Sequence, residues 1–147
     1  MTTVLLLIDD DEALPMLLEK RIESFDVLLR CTRDGDEGID YLSRRGEYSD
    51  SQRFPSPSVV LLDVRMPRVN GFEVLEWMGQ QSYLESLPVV VWSSSNLLED
   101  RQKALALGAE DYVVKPMGLD AIVQLVRQIA ATYRKPTAQL SNAFKSG

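Results

Sequence analysis

Short apolar runs and stretches of helical period alternate along the whole chain. Runs near residues 3–8, 26–31, 58–62, 89–92 and 111–114 are almost continuously aliphatic, as in TVLLLI and VVLL, with no apolar-polar alternation in the central ones. Strands of that kind are buried on both faces, which is the property of a parallel sheet covered by helices. Between them apolar residues recur every three or four positions. Leu14, Leu17, Leu18, Ile22 and Phe25 predict the core face of a first helix, with Pro15 in its first turn, where a missing backbone N–H costs little. Asp34 is the expected N-cap of a second helix that turns Ile39 and Leu42 inward. A third begins near Asn70 and buries Phe72, Leu75 and Met78. A fourth spans residues 98–107 and stops at Gly108, and a fifth covers 119–133 with Ile122, Leu125, Val126 and Ile129 inward. The pattern predicts a doubly wound α/β domain of five parallel strands and five helices.

The residues that end the runs carry the chemistry. The first run ends in Asp9, Asp10, Asp11 and Glu12, the third in Asp63, the fourth in Ser93, and the fifth in Lys115 before Pro116. Parallel strands bring their C-terminal ends to one edge, where open α/β sheets bind ligands. Acids, a hydroxyl and a lysine distant in sequence therefore converge. Crowded carboxylates repel, and a hard divalent cation with oxygen ligands relieves the repulsion, which makes Asp9, Asp10 and Asp63 a candidate Mg2+ site. The acids of the first run have a second reading, as favourable charge in the first turn of a helix. Asp63, followed by the loop VRMPRVNG, is a candidate nucleophile for a phosphoryl group.

At 147 residues the chain accommodates one domain with a substantial core. A net charge of −6 argues against a nucleic-acid surface. The single cysteine, Cys31, permits no intrachain disulfide, and the absence of histidine removes a histidine phosphodonor, a Ser-His-Asp triad and a histidine-ligated zinc. No apolar run approaches the ~20 residues of a membrane span and the N-terminus lacks the form of a signal peptide, so a soluble cytoplasmic protein is expected. Residues 43–58 read as a solvated loop or as a partner-contacting insertion. The sequence from Arg134 onward reads as an extension or a short packing arm.

Taken in order, these motifs resemble the receiver domain of response regulators over residues 4–133, with 134–147 as a C-terminal tail. The resemblance implies a flavodoxin-like sheet of order 2-1-3-4-5 and phosphorylation by a sensor histidine kinase. Asp63 corresponds to the phosphoacceptor, Asp9 and Asp10 to the acidic pair that serves Mg2+, and the backbone carbonyl of Arg65 to a third protein ligand of the metal. Ser93 corresponds to the hydroxyl that binds the phosphoryl group, Lys115 to the lysine that pairs with it, and Tyr112 to the aromatic switch position. Such a protein catalyses its own phosphorylation and dephosphorylation and turns over no separate substrate. It signals through the face made by the fourth helix, fifth strand and fifth helix. The extended loop before the third strand and the phrase YLSRRGEY resemble the phytochrome-associated single-domain regulators of bacteria, which points to a phytochrome kinase as partner.

Several further expectations follow. Val123, Ala130 and Tyr133 fall off the predicted core stripe of the fifth helix and suggest an exposed apolar arc suited to homodimerisation. Tyr112 is expected to turn inward on phosphorylation. Trp92 is bulkier than a central strand residue usually is, and Arg65 sets a long cation beside the phosphoacceptor. A phosphohydrolase with an aspartate nucleophile would need a second acid at position 65, where arginine stands. An adaptor independent of phosphorylation would tolerate loss of the acids or the lysine, and none is lost. A transcription factor would need another module after the fifth helix.

Overall fold

The computed structural model describes residues 2–22 and 25–134. Five strands, β1 (Thr3–Ile8), β2 (Val27–Thr32), β3 (Val59–Asp63), β4 (Val89–Ser93) and β5 (Asp111–Val114), form one parallel sheet of order β2-β1-β3-β4-β5. The helices are α1 (Leu14–Ile22), α2 (Gly35–Ser43), α3 (Gly71–Gly79), α4 (Leu98–Ala106) and α5 (Leu119–Thr132). The order reverses beside β1, so the C-terminal ends of β1 and β3 flank the switch point at which such sheets bind ligands.

The aliphatic runs became the central strands because both of their faces are covered. Residues of β1 and β3 alternate between two cores: Leu6, Ile8, Val60 and Leu62 pack with Phe72, Val74 and Leu75 of α3, while Leu5, Leu7, Val59 and Leu61 pack with Leu14, Leu18, Val126 and Ile129 of α1 and α5. Two helix starts follow the expected capping chemistry. The Asp34 carboxylate accepts from the Glu37 N–H at 2.8 Å, and Asn70 forms a reciprocal capping box with Glu73. Gly108 takes the positive φ of 106° that ends α4.

Two expectations are corrected. Leu17 and Phe25 are exposed, and α1 buries only Leu14, Leu18 and Ile22. Val123 and Ala130 are buried, and Tyr133 packs on the same core. Helix α5 rests on α1 as well as on β1, so its wide apolar arc is consumed inside the domain. The 43–58 segment is also folded. It contains a 3-10 turn (Gly46–Ser49) and a three-ring cluster of Tyr41, Tyr48 and Phe54 with centroids 4.7–5.8 Å apart. The Tyr41 hydroxyl donates to the Pro55 carbonyl at 2.7 Å, and Arg44 donates to the Phe54 carbonyl. The expected tail lies outside the described residues beyond Arg134.

Candidate phosphoacceptor site

Strand ends deliver the site as the topology requires. Asp9 lies one residue beyond β1, Asp63 ends β3, Ser93 ends β4, and Lys115 follows β5. Asp9, Asp63 and Ser93 are buried, whereas Asp10 is exposed. One carboxylate oxygen from each of Asp9, Asp10 and Asp63 lies within 4.8 Å of the others. The two readings of the acid run are thus divided among its members. Asp11 caps α1, accepting from the N–H groups of Ala13 and Leu14 at 3.0 and 3.1 Å, and Asp9 and Asp10 face Asp63.

The Lys115 ammonium joins the acids, 2.7 Å from Asp9 Oδ2 and 3.3 Å from Asp63 Oδ2. Burial lowers the lysine's affinity for its proton, but the two carboxylates outweigh it and hold the group above its ordinary range. Burial pushes the Asp63 carboxyl above its ordinary range, against the opposing Arg65 backbone N–H, 3.0 Å from Oδ1, and the Lys115 charge. Asp9 Oδ2 is buried and meets Lys115 as an ion pair without a well-directed hydrogen bond. Three convergent carboxylates, one with a poorly satisfied buried oxygen, fit a hard divalent cation.

Glycine sets the position of Asp63. A Cβ on Gly71 would come within 2.4 Å of the Asp63 carbonyl oxygen and 2.6 Å of Val64 Cα, so only glycine lets α3 start this close to the end of β3. Trp92 is fully buried beneath the site, with the Lys115 ammonium 5.1 Å from its ring centroid and its indole N–H without a hydrogen-bond partner. The Trp92 ring forms the floor under the lysine.

Beyond Ser93 the structure shows a polar chain that sequence reading did not find. Ser93 Oγ accepts from the Ser95 N–H at 3.1 Å, and Ser95 Oγ donates to Asp100 Oδ2 at 2.9 Å. The same Asp100 oxygen receives the Arg65 guanidinium at 2.6 Å, and the Tyr112 hydroxyl donates to the Ser95 carbonyl at 2.8 Å. Tyr112 is thereby held inward and buried. Asp100 sits in the first turn of α4, where an acid has a routine dipolar role, and for that reason its sequence context gave no signal.

The sheet order, the switch-point position and the cluster of acids with a lysine describe a signalling receiver fold. The chain belongs to the family of response regulator receiver domains, which it matches over residues 5–127. It is 31% identical over 128 residues to the response regulator Rcp1 of Synechocystis sp., covering 86% of this chain and 85% of that protein. It is also 31% identical over 128 residues to the probable methanogenesis regulatory protein FilR2 of Methanothrix harundinacea, covering 86% of this chain and 80% of that one. Among solved structures, the Mn2+-bound form of Rcp1 superposes with a TM-score of 0.76 at 28% identity, covering 92% of this chain and 97% of that one. The phosphorylated cyanobacterial phytochrome response regulator RcpA superposes with a TM-score of 0.81 at 26% identity, over 94% and 98%. The chain is thus a two-component receiver close to the phytochrome response regulators. Receivers of this family accept a phosphoryl group on an aspartate.

Proposed function

We propose that Asp63 is the phosphoacceptor and that a sensor histidine kinase, of phytochrome type, is the donor. The observation that carries this reading is the Lys115 ammonium held between Asp9 and Asp63 at the edge of the sheet. An Asp63 carboxylate oxygen attacks the phosphorus of a phosphohistidine; the P–O bond forms as the P–N bond breaks, and the departing imidazole takes a proton. Lys115 lies where charge on the transferring oxygens develops. Asp9, Asp10, Asp63 and the Arg65 backbone carbonyl would hold Mg2+, which supplies further neutralisation of that charge when bound. The solved Mn2+-bound form of the similar Rcp1 supports divalent-ion binding by this chain.

Ser93 reports the new phosphoryl group to the β4-α4 loop, and Tyr112 carries the report to the face formed by α4, β5 and α5. That face bears exposed Leu97, Leu98, Leu105, Val114 and Met117, with Met117 95% exposed. This patch, rather than α5, supports homodimerisation as the readout. Among the described residues no helix is long and apolar enough to cross a membrane, in keeping with a cytoplasmic partner for a kinase. The phosphohydrolase alternative is disfavoured because position 65 presents a guanidinium already tied to Asp100.

Intact-mass measurement after incubation with Mg2+ and acetyl phosphate tests the proposal. One phosphoryl adduct on the wild type and none on Asp63→Asn are expected. An adduct of equal occupancy on both proteins, or sustained turnover of a generic phosphate ester, would refute it.

A further inference from the structure

We infer that Asp100 is a positioning residue of the switch, holding Tyr112 inward through Ser95 and tying the Arg65 guanidinium to α4. The inference rests on the proposed role of Asp63 and extends it to residues of α4.

Ser95 is the junction. Its N–H is bound to Ser93 Oγ, its hydroxyl to Asp100, and its carbonyl to the Tyr112 hydroxyl. Its Oγ also accepts from the Leu97 N–H at 3.2 Å, so one side chain fixes the turn that enters α4. Leu97, the N-cap residue, offers no side-chain hydrogen bond of its own. Asp100 supplies the fixed point. Its side chain is only 11% exposed, and one oxygen accepts from both Ser95 and Arg65. Arg65 is in turn rooted at the phosphoacceptor, since its own N–H is bonded to Asp63 Oδ1. A continuous polar path therefore runs from Asp63 through Arg65, Asp100 and Ser95 to Tyr112. The Tyr112 backbone is held from α4 as well, its carbonyl accepting from Arg101 at 3.3 Å.

Inward Tyr112 is the arrangement that the family resemblance associates with the phosphorylated protein, and the Asp100 path supports it. A buried carboxylate with two charge-assisted or hydroxyl donors is a strong local constraint, because releasing either donor leaves buried charge underpaired. Asp100 thus lowers the conformational cost of accepting the phosphoryl group, and removing its charge should restore that cost.

The test is binding of beryllofluoride, a phosphoryl mimic, in the presence of Mg2+. Asp100→Asn and Ser95→Ala should each weaken it by about fivefold or more, the lower range of allosteric coupling. The double variant should be no weaker than the poorer single one, because both act on one path. Mg2+ affinity without beryllofluoride should stay unchanged, and the Tyr112 ring should show conformational exchange by NMR in both variants. If Asp100 served only the α4 dipole, thermal stability would fall while beryllofluoride affinity stayed at the wild-type value; that result, or tighter binding, overturns the inference. Failure of the wild type to bind beryllofluoride at all would instead overturn the phosphoacceptor reading on which it rests.

Discussion

Replacing Asp63 with asparagine should stabilise the protein in the absence of divalent metal. The amide keeps the shape and the acceptor for the Arg65 N–H, which lies 3.0 Å from Oδ1, and removes one charge from the acid cluster. Two Coulomb effects then oppose each other. Losing attraction to Lys115 at 3.3 Å costs about 5 kcal/mol at an effective dielectric of 20. Losing repulsion from Asp9, whose oxygen lies within 4.8 Å, returns at least about 3.5 kcal/mol on the same scale. Asp10 adds a weaker, solvent-screened repulsion. These nearly cancel, and burial of the carboxylate decides the sign: its proton affinity is raised in the fold, so the ionised form destabilises the native state at neutral pH. Neutralising a buried member of a charge cluster with an isostere is worth about 1 to 2 kcal/mol, and each kcal/mol is roughly 4 °C in Tm for a domain of this size. Thermal and urea unfolding in EDTA measure it, and saturating Mg2+ should reverse the order by stabilising the wild type more. Equal or lower stability of Asp63→Asn in EDTA would show that the carboxylate is satisfied by Lys115 and Arg65, and that the cluster stores no electrostatic tension.

Other perturbations probe the neighbouring parts of the site. Lys115→Ala should cost about 3 kcal/mol in EDTA, because it strands the buried Asp9 charge; Mg2+ should recover much of the loss in a thermal melt. Gly71→Ala forces a Cβ against the Asp63 and Val64 backbone, so it should destabilise by about 1 to 3 kcal/mol and weaken Mg2+ binding measured by calorimetry. The Cys31 thiol is pushed up to about 12, first by burial and then by the charges of Glu19 and Asp9. It should react slowly with Ellman's reagent at pH 8 when native and rapidly in urea. The folded state keeps this proton while the unfolded thiol loses it from its ordinary value of 9.0 upward, so this group makes stability fall as pH rises from 9 towards 12. A native thiol that reacts at the unfolded rate would contradict the shielding of Cys31 by its neighbours.

The strands were legible because two-sided burial leaves an unmistakable aliphatic run, and the reactive residues were legible because they terminate those runs. Strand order was not readable from periodicity, and it rested on resemblance until the hydrogen-bonded register supplied it. Periodicity failed where a helix meets two neighbours. It left Val123 and Ala130 off the core stripe of α5, although α1 and the sheet together bury both. It placed Leu17 and Phe25 inside, although α1 has a narrower buried stripe and Phe25 lies beyond its end, with the Arg127 guanidinium 3.7 Å from its ring. The local order of the 43–58 loop was not legible because it comes from three rings and from arginine contacts to backbone carbonyls, neither of which has a fixed period. Asp100 and Ser95 were invisible for a related reason: each has an ordinary local role, and their shared role exists only once α4 is docked near Arg65.

The most direct measurement of the central claim is chemical trapping of the phosphoryl linkage. Phosphorylation with acetyl phosphate and Mg2+, followed by borohydride reduction and peptide mass mapping, converts an aspartyl phosphate to homoserine at the modified position. Conversion confined to residue 63, abolished when Mg2+ is chelated and reduced in Lys115→Ala, is the expected result. Conversion at Asp9 or Asp10, or none at residue 63 in a protein that carries the phosphoryl mass, would contradict the assignment of Asp63 as the acceptor.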